Sequence, residues 1–248
     1  MIFDIITLAP DMFELYSKTG IIGRAVNNGL IEINAYQLRD YSTNKHKHVD
    51  DYPYSGGPGM LIKADVISNA MQAVDAKEDE SQKKAVVYMT PKGRKFDQRV
   101  AKELSEYDKL IVLVGAFEGI DQRAIDKYVD LEISMGDFVT TSGDLPALTM
   151  IDSVVRLLPG VLGSDDSSVD ESHSTCFLEY PQYTRPEIFE DMKVPEILLS
   201  GNHAKIAAWK ELQSIEITEK NRPDMLAKID KNELEQKKRK LRKILNRK

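Results

Sequence analysis

The sequence predicts an α/β protein with a mainly parallel sheet, and three observations carry that expectation. Short β-rich runs alternate with longer helical patterns, as in parallel sheets covered on both faces. Two of those runs are almost wholly apolar, as buried central strands are. The 248 residues are 42% hydrophobic and 30% charged, enough apolar material for a sizeable core.

Taken in order, IFDIIT (2–7) reads as the first strand and 10–28 as a helical stretch. EINAYQ (32–37) is the second strand, and helical periodicity returns over 63–75. AVVYM (85–89) and LIVLVG (110–115) are the apolar runs, with a helix expected between them over 96–105. A helix over 121–128 and a strand, DLEIS (130–134), follow. The next helix, 144–158, begins at Asp144 with Pro146 in its first turn, where proline is tolerated.

After Gly160 the character changes. Residues 163–176, GSDDSSVDESHSTC, are polar, acidic and serine-rich, the composition of a mobile joint. A proline-punctuated segment comes next, and 201–248 reads as helical. The expected organisation is a sheet domain over 1–160, a flexible linker over 161–176 and a small helical C-terminal domain over 177–248. No internal repeat is visible.

Charge and cysteine content narrow the function. No apolar run approaches the roughly 20 residues of a transmembrane helix. The start, MIFDIITLAPDMFE, lacks a basic region and a cleavage site, so a cytoplasmic protein is expected. A single cysteine, Cys176, excludes an internal disulfide framework. The formal charge is −6, but residues 231–248 hold nine Lys/Arg and two Glu, a local +7 that leaves −13 on the rest. A basic tail on an acidic body suits a polyanionic partner, and the recurrence of Leu234, Leu241, Ile244 and Leu245 equally suits an amphipathic helix.

Three glycine-bearing loops follow or approach strand ends: TPKGRKF (90–96), GAFEGID (115–121) and MGDFVTTSGD (135–144). Ligands of open α/β sheets sit in the crevice beyond the carboxyl ends of the strands, where such loops meet. The first strand runs into TLAPDMF, so the G-x-G-x-x-G dinucleotide fingerprint is absent, as is a G-x-x-x-x-G-K-[ST] loop. A fourth glycine cluster, PYSGGPGM (53–60), follows the charged stretch RDYSTNKHKHVDD and suits phosphate or nucleic-acid contact. His46 and His48 have no third ligand in a recognisable array.

The runs GDFVTTSGDLPALTMIDSVVRLLPGVLG (136–163), GAFEGIDQR (115–123), LRDYSTNKHKHVDDYPYSGGPGM (38–60) and EYPQYTRP (179–186) together resemble the bacterial tRNA (guanine-N1)-methyltransferase family of the SPOUT superfamily. The likeness runs in unbroken order from Met1 to about Trp209. It implies a deep trefoil knot, a homodimer with each active site shared between subunits, and methyl transfer from S-adenosylmethionine to N1 of guanosine 37 of tRNA. The cofactor would lie against Tyr88, Thr90, Pro91 and Gly93, then Gly115 and Glu118, then Met135, Gly136, Asp137, Phe138, Val139, Thr140, Ser142 and Gly143. Asp50, Gly56, Gly57, Gly59 and Met60 are candidates for holding the flipped guanosine and its neighbour. Arg156 matches the family's catalytic arginine, which would stabilise charge gathering on O6.

A base must also remove the N1 proton. The family's Asp-Ser-Phe triplet places its aspartate at Glu171 by gap-free register, with Asp170 one residue earlier, and His173 replaces the phenylalanine. Either acid is a candidate base. Ala116, Ser142 and Ser55 are smaller departures from the pattern. The family's activity is associated with Mg²⁺, for which the sequence holds no dedicated ligand cluster. Competing readings are a tRNA-binding protein with weak catalysis and a SPOUT methyltransferase for another RNA base.

Overall fold

The computed structural model describes residues 1–75, 81–163, 172–173, 175–227 and 229–246. The chain divides into two compact units, Met1–Ser164 and Asp165–Lys248.

The first unit runs β1 (Ile2–Thr7), α1 (Pro10–Tyr16), α2 (Gly20–Asn27), β2 (Glu32–Gln37), the short hairpin strands β3 (Asp50–Asp51) and β4 (Leu61–Ile62), and α3 (Ala64–Asp75). It continues through β5 (Lys84–Lys95), α4 (Gln98–Leu104), β6 (Lys109–Val114), α5 (Gln122–Tyr128), β7 (Leu131–Ser134) and α6 (Asp144–Val155). The strands β2-β1-β6-β5-β7 form one parallel sheet in that order.

Side chains alternate across the sheet because successive residues of a strand point to opposite faces. Phe3, Ile5, Val87, Met89, Leu110 and Val112 pack with Phe13, Ile22, Val100, Met150 and Val154 from α1, α2, α4 and α6. Ile6, Val86, Tyr88, Ile111 and Leu113 face the other way, onto Val66, Ile67 and Ala70 of α3 and Ala124 and Ile125 of α5. One charged pair is buried at the amino ends of the strands. Lys109 Nζ lies 2.7 Å from Asp4 Oδ2, and Asn34 donates to Asp4 Oδ1 at 3.0 Å. These contacts tie β6, β1 and β2 together with both charges compensated.

Four details differ from the sequence reading. The helical stretch 10–28 is two helices, since Gly20 takes φ +58° and the right-handed helix cannot run through it. The strand expected over 85–89 extends to Lys95, so the first glycine loop belongs to β5 as a bulge: Ile133 faces both Met89 and Arg94, and residues 90–93 swing out between them. The helix expected to reach 158 ends at Val155. The two-residue strands β3 and β4, which pair antiparallel and bracket the PYSGGPGM loop, were too short to show periodicity.

Among its described residues, the second unit opens with an irregular stretch over 175–187 and a hairpin of β8 (Ile188–Phe189) and β9 (Met192–Lys193), and is mainly helical from Glu196 on. After α7 (Glu196–Leu199), the helices α8 (His203–Asn221) and α9 (Lys231–Leu245) bury Ala208, Leu212 and Ile215 against Leu234 and Leu241. Each helix is capped as its sequence allows: Asn202 accepts from Lys205 N, and Asp230 from the backbone of Asn232 and Glu233. Part of the basic tail is neutralised inside this unit. Lys237 pairs with Glu211, Lys238 with Glu219 and Glu235, and Arg242 with Glu216.

Candidate active site

The chain leaves β5 to build its left-hand neighbour β6, then leaves β6 to build β7 on the far side of β5. Connections that depart in opposite directions open a crevice at the carboxyl ends of adjacent strands. A cavity of about 440 Å³ lies there, within the range of small-molecule sites. Its walls come from the bulge of β5, the 115–120 loop after β6, and the 133–143 segment after β7, with Leu61 and Pro146 at its edges.

Each wall is fixed by interactions the sequence encodes locally. Tyr88 is buried beneath the 115–120 loop, hydrogen-bonded to the Ile120 backbone and to Thr90. Burial pushes its phenol pKa up, so it stays neutral at any physiological pH. The third segment is braced by Asp144, 6% exposed, which accepts from Thr7 Oγ1 at 2.6 Å and from Ser142 Oγ at 2.7 Å. Thr140 Oγ1 donates to the Ser142 carbonyl, and Gly143 N donates to the Gly115 carbonyl at 2.8 Å. Sequence reasoning took Asp144 only as a helix start; its hydroxyl partner lies 137 residues away in β1.

The hairpin loop joins the same site. Glu118 N donates to Met60 O, Ile62 N to Gly119 O and Asp121 N to Ile62 O, at 2.9–3.0 Å. Gly59, at φ +93°, leaves the space that Glu118 fills: a Cβ there would meet Glu118 Cγ at 2.3 Å.

Among the sequence candidates, Tyr88, Thr90, Pro91, Gly115, Glu118, Met135, Phe138, Val139, Thr140, Ser142 and Gly143 line the cavity. Gly93, Gly136 and Asp137 do not. Gly93 instead passes over β7, where a Cβ would lie 2.3 Å from the Glu132 carbonyl carbon. Gly136 carries φ +144° against the Phe138 ring, and Asp137 Oδ2 lies 3.6 Å from Lys95 Nζ. Gly93→Ala is accordingly expected to destabilise the first unit by about 2 kcal/mol or more, because the overlap is with backbone that cannot step aside. Thermal unfolding checks this; an unchanged midpoint would mean β5 and β7 separate freely at that point.

Lining residues that the sequence reading missed include Phe117, 49% exposed at φ +58°, and Glu132. Phe117 stood in plain view within GAFEGID. Glu132 was legible only as a strand residue. With Glu118 it gives the cavity two carboxylates, against one lysine, Lys92. No group of three or more acidic, histidine or cysteine side chains suited to a metal ion occurs among the described residues.

The family model for tRNA (guanine-1)-methyltransferase TrmD matches residues 1–228. The chain belongs to this family. Curated relatives named tRNA (guanine-N(1)-)-methyltransferase agree along nearly the whole length. That of Ruminiclostridium cellulolyticum is 49% identical over 234 residues, 94% of this chain and 100% of the relative. One from Clostridium perfringens is 51% identical over 229 residues, covering 92% and 94%. One from Caldanaerobacter subterraneus is 47% identical over 237 residues, 96% of each.

Family membership sharpens the question of where the remaining candidates stand. Arg156 follows the last residue of α6 and does not line the cavity. It lies ten residues beyond Pro146, about 15 Å along the helix axis at 1.5 Å per residue. Asp50 pairs with Ile62 across the hairpin, and Gly56 and Gly57 sit at its exposed turn with positive φ. Asp170 and Glu171 lie outside the described residues.

Proposed function

We propose that the protein transfers a methyl group from S-adenosylmethionine to N1 of guanosine 37 in tRNA, as a cytoplasmic homodimer whose active sites each draw on both subunits. The observation that carries this reading is a family match over 1–228 that contains the whole cavity-forming sequence. The same reading gives the cavity loops a deep trefoil knot. The strand order and the Gly143–Gly115 hydrogen bond support it. Among the described residues, no helix is long and apolar enough to cross a membrane.

The cavity suits the proposed donor. Glu118 and Glu132 line a space where the donor's ammonium and sulfonium would find opposite charge, and Met89, Ile133 and Pro91 offer apolar contact for the rest. When bound, S-adenosylmethionine supplies an electrophilic methyl group. The chain's own work is then positioning, proton removal and charge stabilisation. Phe117 stands at the cavity as an exposed ring on which a flipped guanine would stack. Glu171 or Asp170 would take the N1 proton, and Arg156 would face the charge left on O6. Arg156 stands too far along α6 to serve the cavity of its own chain, which favours a second subunit delivering it.

The test is methyl transfer to unmodified tRNA carrying guanosine at positions 36 and 37, with an adenosine-37 control and nucleoside analysis. N1-methylguanosine formed only with guanosine 37 is the expected product. Methylation at another base, or binding without transfer, would overturn the assignment.

The helical unit carries a separate expectation. On α9, Arg239, Lys240 and Lys243 are exposed and make no salt bridge within 4.0 Å among the described residues, and α9 lies beyond residue 228, where the family match ends. We infer that this stripe touches the tRNA phosphates. Replacing all three by glutamine should weaken tRNA binding and reduce the salt slope of log K by about 2–3, with kcat unchanged. A slope equal to that of the wild type would remove α9 from the interface.

A further inference from the structure

Residues 137–141 of the segment after β7 are all exposed, yet Phe138, Val139, Thr140 and Thr141 line the candidate cavity. A loop with so little packing of its own must be ordered by something else, or a ligand pays for that ordering on binding. Its two ends are held differently. At the near end Ser134 Oγ donates to the Gly136 carbonyl at 3.1 Å, a bond between close neighbours. At the far end the tie leaves the segment altogether. Ser142 Oγ donates to Asp144 Oδ2 at 2.7 Å, and Thr7 Oγ1 of β1 donates to Asp144 Oδ1 at 2.6 Å. Thr7 is 0% exposed, and neither Thr7 nor Asp144 lines the cavity.

The direction of each bond is set by a backbone N–H. Ala9 N donates to Thr7 Oγ1 at 2.9 Å, and Asp144 N donates to Ser142 Oγ at 3.4 Å. Each hydroxyl oxygen therefore accepts from the backbone and sends its single proton to the Asp144 side chain. The carboxylate has an oxygen for each proton, where a carboxamide would have one. Thr140 Oγ1 donates to the Ser142 carbonyl at 2.7 Å, and Gly143 N to the Gly115 carbonyl at 2.8 Å. These two bonds extend the tie into the exposed stretch and across to the loop after β6. Members of such a chain polarise one another, so removing one weakens the rest.

We propose that Thr7 and Asp144 are positioning residues for the methyl donor: the chain from Thr7 through Asp144 to Ser142 holds the 137–143 loop in its binding shape before the donor arrives. The donor then has less of the loop to order, and affinity rises without any added contact. This rests on the donor assignment proposed above.

The experiment is calorimetric titration of the full-length protein with S-adenosylmethionine, beside amide hydrogen exchange of the 135–143 segment in the donor-free protein. Thr7→Val keeps the shape of threonine without its hydroxyl, and Ser142→Ala removes the hydroxyl at the other end. Each should raise the Kd for the donor about five- to tenfold and speed exchange of the segment by a similar factor. The pair together should lose less than the product of the two, because both break one chain. Thr7→Ser and Ser142→Thr restore the hydroxyls and should stay within about twofold of wild type. A Thr7→Val protein with a lower unfolding midpoint but unchanged Kd and exchange would show a merely structural role and overturn the proposal. Restored-hydroxyl variants that lose as much as the deletions would overturn it too. Exchange needs no donor: a wild-type protein that binds no S-adenosylmethionine defeats the donor assignment, and exchange still decides whether the chain holds the loop.

Discussion

Arg156→Ala is expected to lower kcat by about 10²–10³ while leaving S-adenosylmethionine binding near wild type, the loss typical when one preorganised partner of a developing oxyanion is removed. The split follows from geometry. The cavity proposed for the donor is built from β5, β6, β7 and their loops, whereas Arg156 lies beyond the opposite end of α6 and lines none of it. Truncating a side chain about 15 Å along the axis from Pro146 leaves the cavity walls intact. The same distance makes a sharper test possible. Co-assembly of Arg156→Ala subunits with Gly115→Val subunits, whose cavity is obstructed against Tyr88, places one intact cavity opposite one intact arginine. If the arginine acts across the dimer, random mixing should restore about a quarter of wild-type activity, since half the dimers are mixed and each has one working site of two. Mixtures as inactive as the parents would show that Arg156 serves its own chain or none.

Much of the fold was legible because the sheet obeys a simple alternation. The apolar runs that became β5 and β6 send alternate residues to opposite faces, Val87 and Met89 with Leu110 and Val112 on one and Val86 and Tyr88 with Ile111 and Leu113 on the other, and helices on both sides bury them. The β5 bulge was not legible, because Pro91 and Gly93 are residues that ordinarily end a strand. Only the approach of β7, within 2.3 Å of where a Gly93 side chain would begin, explains why a glycine extends the pairing. The candidate site divides in the same way. Loops carrying glycine and aromatic residues announce themselves locally, and eleven of the fourteen residues expected to hold the cofactor line the cavity. Asp144 depends on a partner distant in sequence, and no local pattern reveals a hydrogen bond from Thr7 to Asp144.

Only one of Glu171→Gln and Asp170→Asn should collapse the rate, and the gap-free register between LPGVLG and YTRP puts that residue at Glu171. Guanine N1 carries its proton in neutral water, so attack on a methyl group requires a positioned acceptor, and losing it costs about 10²–10⁴ in rate. A carboxamide is nearly isosteric with the carboxylate and cannot accept that proton, so S-adenosylmethionine binding should persist. The pH profile distinguishes a lost base from a disturbed loop. With Glu171 replaced by Gln, the reaction must wait for solvent to ionise guanine, so log kcat should climb about one unit per pH unit where wild type has already levelled off. Glu171→Asp should recover part of the rate by restoring the carboxylate one methylene shorter. Equal, mild losses in both amide variants, with wild-type pH profiles, would mean that the proton leaves by another route and that neither acid is the base. A steep loss confined to Asp170→Asn would shift the register by one residue and keep the chemistry.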